Sequence, residues 1–181
     1  MIRIEPVTLN ETDTQTAATL QQVKAKLGRL PNLIATLARA PAALDGYLKL
    51  AEAAAGGRLS ARQRELIAIA VAQENGCEYC LSAHAAIGKS VGLHEEDIDR
   101  AREGHARSPT DDAITALALA VVRARGGVTD GELEAVRQAG VDDGLIIEIV
   151  ANVALHVMTN YVNRLAGTAL DFPVYRLRAA A

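Results

Sequence analysis

The sequence has very few aromatic residues, with no Trp, one Phe and four Tyr among 181 residues. Half of its residues are nonetheless hydrophobic, so a core must be built mainly from Ala, Leu, Ile and Val. Small aliphatic side chains of this kind suit closely packed helices. The chain is long enough to bury a sizeable core in one domain. We therefore expect a single helical domain over residues 1–181.

The sequence also lacks a strong excess of charge, because 19 Lys and Arg face 22 Asp and Glu, for a net charge of -3. No basic stripe is present, so nucleic-acid binding is not expected. The sequence contains no run of about eighteen uninterrupted apolar residues, so no membrane span is predicted. The first residues, Met1 to Pro6, lack the apolar run of a signal peptide. These features favour a cytoplasmic protein, in a compartment where thiols are kept reduced.

The pattern of apolar residues predicts an all-α fold of about seven to nine helices with no significant sheet, because no segment alternates apolar and polar residues. Ser60 with Gln63, and Thr129 with Glu132, have the spacing of capping boxes and mark two helix starts. Residues 1–13 are expected to form an N-terminal arm, and residues 171–181 a C-terminal tail. The predicted helices cover residues 14–27, 32–40, 41–56, 60–75, 77–91, a short segment from 94, 108–125, 129–139 and 142–167.

Both cysteines of the chain lie three residues apart, at Cys77 and Cys80. A disulfide that closes so short a loop would stabilise the fold little, so redox chemistry or metal binding is the better interpretation. On a helix, Cys77, Cys80 and His84 fall within about 60° of one another and share one face. A helix N-terminus stabilises the thiolate form of a cysteine, and a histidine four residues later can accept its proton.

Other interpretations of these residues remain open. The two cysteines and His84 could bind a metal ion, with His156 or Glu65 completing the site, or they could be buried thiols without chemistry. Such a protein would bind a metal or sense redox state with little turnover, or be a non-catalytic helical oligomer. Tyr79, His156, Asn160 and Asn163 could line a pocket, and the last three could instead lie at an oligomer interface.

Residues Glu65 to His84 have the pattern E-x11-C-x-x-C-x3-H, which resembles the signature of alkylhydroperoxidase D-like proteins in the carboxymuconolactone decarboxylase superfamily. The segment from Asn163 to Pro173 is similar to that of the subgroup labelled peroxidase-related. This resemblance implies an AhpD-like helical bundle and a homo-oligomer, commonly a trimer or hexamer. Members that lack the cysteines decarboxylate a lactone instead, and the intact pair argues against that reaction here.

The resemblance also implies an activity and a role for each site residue. Cys80 would attack a hydroperoxide and Cys77 would resolve the product as a disulfide, while His84 and Glu65 relay protons. No cofactor or metal is implied, but an external dithiol, either a protein or a small molecule, must restore the reduced pair. Well-studied members carry a second histidine just before the attacking cysteine, where this sequence has Tyr79, a poor base.

Overall fold

The fold was analysed in a computed structural model, which describes residues 1–178. Within these residues it consists of nine α-helices and a short 3-10 turn, with no β-strand. The helices are α1 (Thr14–Leu27), α2 (Asn32–Leu37), α3 (Pro41–Ala55), α4 (Ala61–Glu74), α5 (Glu78–Ser90), α6 (Glu95–Ala101), α7 (Pro109–Ala124), α8 (Asp130–Gln138) and α9 (Asp143–Ala166). The all-α prediction and the expected number of helices are confirmed.

Side-chain caps set the starts of several helices, as their sequences predicted. The Ser60 hydroxyl accepts a hydrogen bond from the Gln63 N–H at 3.1 Å, and the Gln63 side chain accepts one from the Ser60 N–H at 2.9 Å. Thr129 and Glu132 form the same reciprocal pair at the start of α8. Each box satisfies two backbone donors that a helix start leaves without partners.

The predicted second helix is too long by about three residues. It ends at Leu37 rather than near Ala40, and the chain continues through Arg39 and Ala40 in tight turns whose N–H groups bond three residues back. The reason is Pro41, whose ring disfavours helical dihedral angles at the preceding residue. Ala40 accordingly has extended angles, with φ -128° and ψ 93°.

Within residues 1–13 and 171–178, regular structure is limited to one 3-10 turn at Leu9–Glu11, which the sequence did not predict. The predicted C-terminal tail, residues 171–181, has no helix or strand as far as residue 178. Its last three residues, 179–181, lie outside the described part of the chain.

Helix α4 forms the centre of the bundle, and its residues Leu66 to Ala72 are all fully buried. It packs against α5, α6, α7 and α9. Helix α9 is long and apolar enough to cross a membrane by length and composition, with a mean hydropathy of 1.5. It packs, however, against α2, α3, α4, α5 and α7. The core helix of a soluble bundle can have the same length and hydropathy. This central packing brings α4, α5 and α9 together around the cysteine pair.

Candidate active site

The cysteine pair lies at the first turn of α5, as the sequence predicted. Gly76 has a φ of 64°, a left-handed conformation that favours glycine, and it turns the chain from α4 into α5. Cys77 is the N-cap residue of α5. Cys77 and Cys80 are joined in a disulfide, with their Cα atoms 5.3 Å apart. Only 1% of Cys77 and 3% of Cys80 is exposed, so the pair is almost wholly shielded from solvent.

Each sulfur atom accepts one hydrogen bond. The Cys80 backbone N–H donates to the Cys77 Sγ over 3.2 Å, which places this sulfur at the positive end of the α5 dipole. The Asn163 side chain, from the last turns of α9, donates through Nδ2 to the Cys80 Sγ over 3.2 Å. The structure thus places Asn163 at the cysteine pair, one of the two locations that the sequence left open for it.

Glu65 and His84 come together although they lie on different helices. The Glu65 Oε2 is 2.8 Å from the His84 Nδ1, and 14% of the Glu65 side chain and 18% of the His84 side chain are exposed. A carboxylate at Nδ1 fixes the orientation of an imidazole and leaves Nε2 available for proton exchange. His84 stands one turn after Cys80 on α5, so the partly exposed pair adjoins the buried sulfur atoms.

His156 contributes a second imidazole beside this pair. Its ring meets the ring of His84 edge to face, with centroids 4.8 Å apart and an interplanar angle of 85°. Burial, and then the neighbouring His84, lower the pKa of His156 well below its usual range. His156 is therefore neutral at physiological pH and packs against His84 without adding a positive charge.

Tyr79 lies beside the cysteines in sequence, but its hydroxyl is bonded elsewhere. The hydroxyl oxygen accepts a hydrogen bond from the Leu33 N–H over 3.2 Å. Burial raises the pKa of the Tyr79 phenol far above its usual range, so it stays protonated. Its ring also packs edge to face on Phe172, with centroids 5.7 Å apart. These contacts connect the start of α5 to α2 and to Phe172, near the end of the described chain.

The C-terminal segment, defined here as residues 168–178, runs over α5 and helps to bury the cysteine pair. The Tyr175 N–H donates to the Ser82 hydroxyl over 2.9 Å, and Arg176 forms an ion pair with Glu78 at 2.9 Å. Apolar side chains of this segment pack on the cluster that contains both cysteines. No local signal in the sequence indicated this contact, because it joins residues about 90 positions apart.

Tyr47, on α3, is a second neighbour of the site that the sequence did not reveal. Burial, and then the charge of the Glu65 carboxylate, raise the pKa of the Tyr47 phenol. Tyr47 is not part of a sequence motif, so the sequence alone gives no reason to associate it with the site. Asn160, by contrast, accepts a hydrogen bond from Asn75 over 3.0 Å rather than contacting a sulfur atom.

The residues considered for a metal site do not form one in this structure. Within residues 1–178, no group of three or more His, Cys, Asp and Glu side chains is arranged to hold a metal ion. The thiolates that such a site would need are joined in the disulfide. The arrangement instead combines a disulfide-bonded pair of cysteines with an adjoining carboxylate–imidazole pair.

Comparison with known proteins identifies a similar family and fold. The carboxymuconolactone decarboxylase family matches residues 41–124, which include Glu65, Cys77, Cys80 and His84. An uncharacterized protein of Haemophilus influenzae is 54% identical over 46 residues, 25% of this chain. That match spans only 41% of the relative's own length.

Two solved structures share the fold over nearly the whole chain. One is the alkylhydroperoxidase AhpD core of an uncharacterized peroxidase-related protein from Ralstonia eutropha JMP134, with a TM-score of 0.85 and 26% identity. The match covers 94% of this chain and 92% of that chain. The other is a debrominase solved with 2,3,4-tribromopyrrole, with a TM-score of 0.77, 19% identity, and coverage of 93% and 91%. At that identity the debrominase shows a common fold alone.

Proposed function

We propose that the chain is a member of the carboxymuconolactone decarboxylase family, of the alkylhydroperoxidase D-like kind, and that it is a thiol-dependent peroxidase that reduces hydroperoxides. The family match over residues 41–124 and the 26% identity to a peroxidase-related structure support a peroxidase-related antioxidant role. The observation that carries the more specific proposal is the position of the Glu65–His84 pair, 2.8 Å apart, one helical turn from the cysteine pair.

The proposed reaction begins with the reduced pair. His84, oriented by Glu65, accepts the Cys80 thiol proton directly or through a water molecule. The thiolate attacks the terminal oxygen of the hydroperoxide and breaks the O–O bond. Cys80 becomes a sulfenic acid, and the departing alkoxide takes a proton from His84 to leave as an alcohol.

The second half of the reaction regenerates the enzyme. The Cys77 thiol attacks the Cys80 sulfenic acid, which forms the disulfide and releases water. An external dithiol then exchanges with the disulfide, restores both thiols and is itself oxidised to a disulfide. A Cα–Cα separation of 5.3 Å allows the bond to form between these two positions. A cytoplasmic location would supply such reductants.

We also propose that the protein is a homo-oligomer. Large apolar side chains stay exposed along α9, with Ile147 68%, Tyr161 57% and Leu165 62% exposed. Tyr161 follows Ile147 by 14 residues and Leu165 follows Tyr161 by four, so at 100° per residue all three lie within about 40° of one another and form one apolar stripe on the helix surface. Burial of this stripe against another subunit would remove it from water. The mass measured by light scattering decides between a monomer and a trimer or hexamer.

The proposed activity is tested directly with purified protein, cumene hydroperoxide and dithiothreitol. We expect hydroperoxide consumption that requires both protein and dithiol, and that persists when EDTA is added, because the sulfur chemistry needs no metal. Turnover of 2,3,4-tribromopyrrole without hydroperoxide consumption would contradict the proposal. So would hydroperoxide consumption that EDTA abolishes.

Tyr79 is expected to contribute to stability rather than to the reaction. Tyr79→Phe removes the acceptor of the Leu33 N–H, so the free energy of unfolding should fall by about 1 kcal/mol. The hydroperoxide turnover should stay within about twofold, because the hydroxyl bonds to Leu33 rather than to either sulfur. Denaturant titration and steady-state kinetics measure the two quantities. A large loss of turnover at unchanged stability would show that the phenol takes part in proton transfer.

A further inference from the structure

Two buried polar residues on α9 face the two reactive residues of α5. Asn163, on the last turns of α9, meets Cys80 on the first turn of α5. His156, two turns earlier on α9, meets His84, one turn later on α5. The two helices therefore run antiparallel here, and residues seven apart on α9 share one face. This face lies outside the segment that the family match covers, residues 41–124.

We propose that Asn163 is a further residue of the catalytic site, whose side-chain amide donates a hydrogen bond to the Cys80 sulfur and thereby stabilises its thiolate. This inference rests on the proposed peroxidase function and assigns a residue that controls the reactivity of the same site. Within residues 1–178, the one donor to the Cys77 sulfur is a backbone group, the Cys80 N–H. Asn163 thus gives the Cys80 sulfur a side-chain donor of its own.

The environment of Asn163 holds the amide in place. The residue is only 4% exposed, and its backbone carbonyl accepts hydrogen bonds from the N–H groups of Gly167 and Thr168 at the end of α9. Its other side-chain atom, Oδ1, is buried and has no hydrogen-bond partner within the described residues. The Cys80 sulfur is thus the one hydrogen-bond partner of the Asn163 side chain among the described residues.

The hydrogen bond should matter most in the thiolate state. A charged sulfur is a stronger acceptor than a neutral thiol or a disulfide sulfur, because hydrogen bonds to ionised groups are about twice as strong as neutral ones. The donor therefore lowers the pKa of the Cys80 thiol, and above that pKa it favours the dithiol over the disulfide. Both effects promote attack on a hydroperoxide and re-reduction after it.

The test compares Asn163→Leu with a matched control, Asn160→Leu. Both asparagines are buried on α9, three residues apart, but Asn160 bonds to Asn75 and not to sulfur. Leucine is close in size to asparagine and has no donor. In a Cys77→Ser background, the ultraviolet absorbance of the thiolate against pH gives the pKa of Cys80. We expect Asn163→Leu to raise this pKa by about one unit, a tenfold loss of thiolate at a pH below it.

The reduction potential of the intact pair gives a second readout. Equilibration with a glutathione redox buffer should show the disulfide about tenfold harder to reduce in Asn163→Leu, a change of about 30 mV. Asn160→Leu should leave both quantities unchanged. Neither measurement uses hydroperoxide, so a failure here is distinct from a failure of the proposed peroxidase activity.

The proposal is overturned if Asn163→Leu leaves both the pKa and the potential at their wild-type values, or if Asn160→Leu shifts them equally. If Asn163→Leu does not fold, as judged by circular dichroism, the pKa of Cys80 is measured in Asn163→Asp instead. Aspartate has nearly the same shape, but its carboxylate places a negative charge beside the sulfur. The pKa of Cys80 should then rise by more than about one unit, and an unchanged value refutes the role.

Discussion

Replacing Cys80 with serine is expected to reduce dithiol-dependent hydroperoxide turnover by at least about three orders of magnitude, because a serine hydroxyl is not ionised near neutral pH and is a weak nucleophile. Cys80 is the proposed attacking residue since His84 follows it by one turn and Asn163 donates to its sulfur. Steady-state consumption of cumene hydroperoxide with dithiothreitol measures the effect.

The matched variant is Cys77→Ser, which removes the resolving thiol but keeps the attacking one. It should still consume about one equivalent of hydroperoxide per chain in a single turnover, since formation of the sulfenic acid needs only Cys80. Its steady-state rate should then depend on direct reduction of the sulfenic acid by external thiol. The reverse pattern, with Cys80→Ser active in a single turnover and Cys77→Ser inactive, would exchange the two roles.

Disruption of the Glu65–His84 pair has the second largest expected effect. His84→Asn should lower kcat/KM for hydroperoxide by about two to four orders of magnitude, the range typical of general acid–base catalysis. Glu65→Gln should have a smaller effect, because glutamine can still bond to the His84 Nδ1 but removes the negative charge. The double variant should be close to His84→Asn alone, since the two residues act as a unit.

A second histidine–carboxylate pair supplies the control for these variants. His105 lies 3.2 Å from Asp112 on the surface, with 62% of the His105 side chain exposed. His105→Asn removes an imidazole of the same kind from an exposed position with its own carboxylate partner, so kcat/KM should not change. Additive losses in the Glu65 and His84 variants would show that the two residues act independently and would contradict a shared relay.

Local sequence signals predicted where the helices lie more accurately than they predicted the contacts between helices. Capping residues such as Ser60 and Thr129 act within one turn, so their effect can be recognised from spacing alone. The end of α2 was missed because Pro41 restricts only Ala40 directly, and the residues before it are good helix formers that do not mark the earlier end at Leu37. The two helix starts depend on neighbouring residues only, and they needed no knowledge of packing.

The residues of the candidate site also differ in how far the sequence predicted them, according to whether they lie on one helix or are brought together by packing. Cys77, Cys80 and His84 lie on a single stretch of helix, so geometry along one helix already placed them together. Glu65 was identified only through a family resemblance, and its 2.8 Å contact with His84 depends on how α4 packs on α5. Tyr47 gave no signal at all, because its position near Glu65 results from the packing of α3.

The most direct test of the central claim is whether a hydroperoxide oxidises the Cys80 sulfur to a sulfenic acid. The reduced Cys77→Ser variant is mixed with about one equivalent of cumene hydroperoxide in the presence of dimedone, which traps sulfenic acids, and the modified peptide is identified by mass spectrometry. We predict a dimedone adduct on Cys80, and its loss when His84→Asn is added within the same short reaction time. No adduct on Cys80, together with full hydroperoxide consumption, would contradict the account.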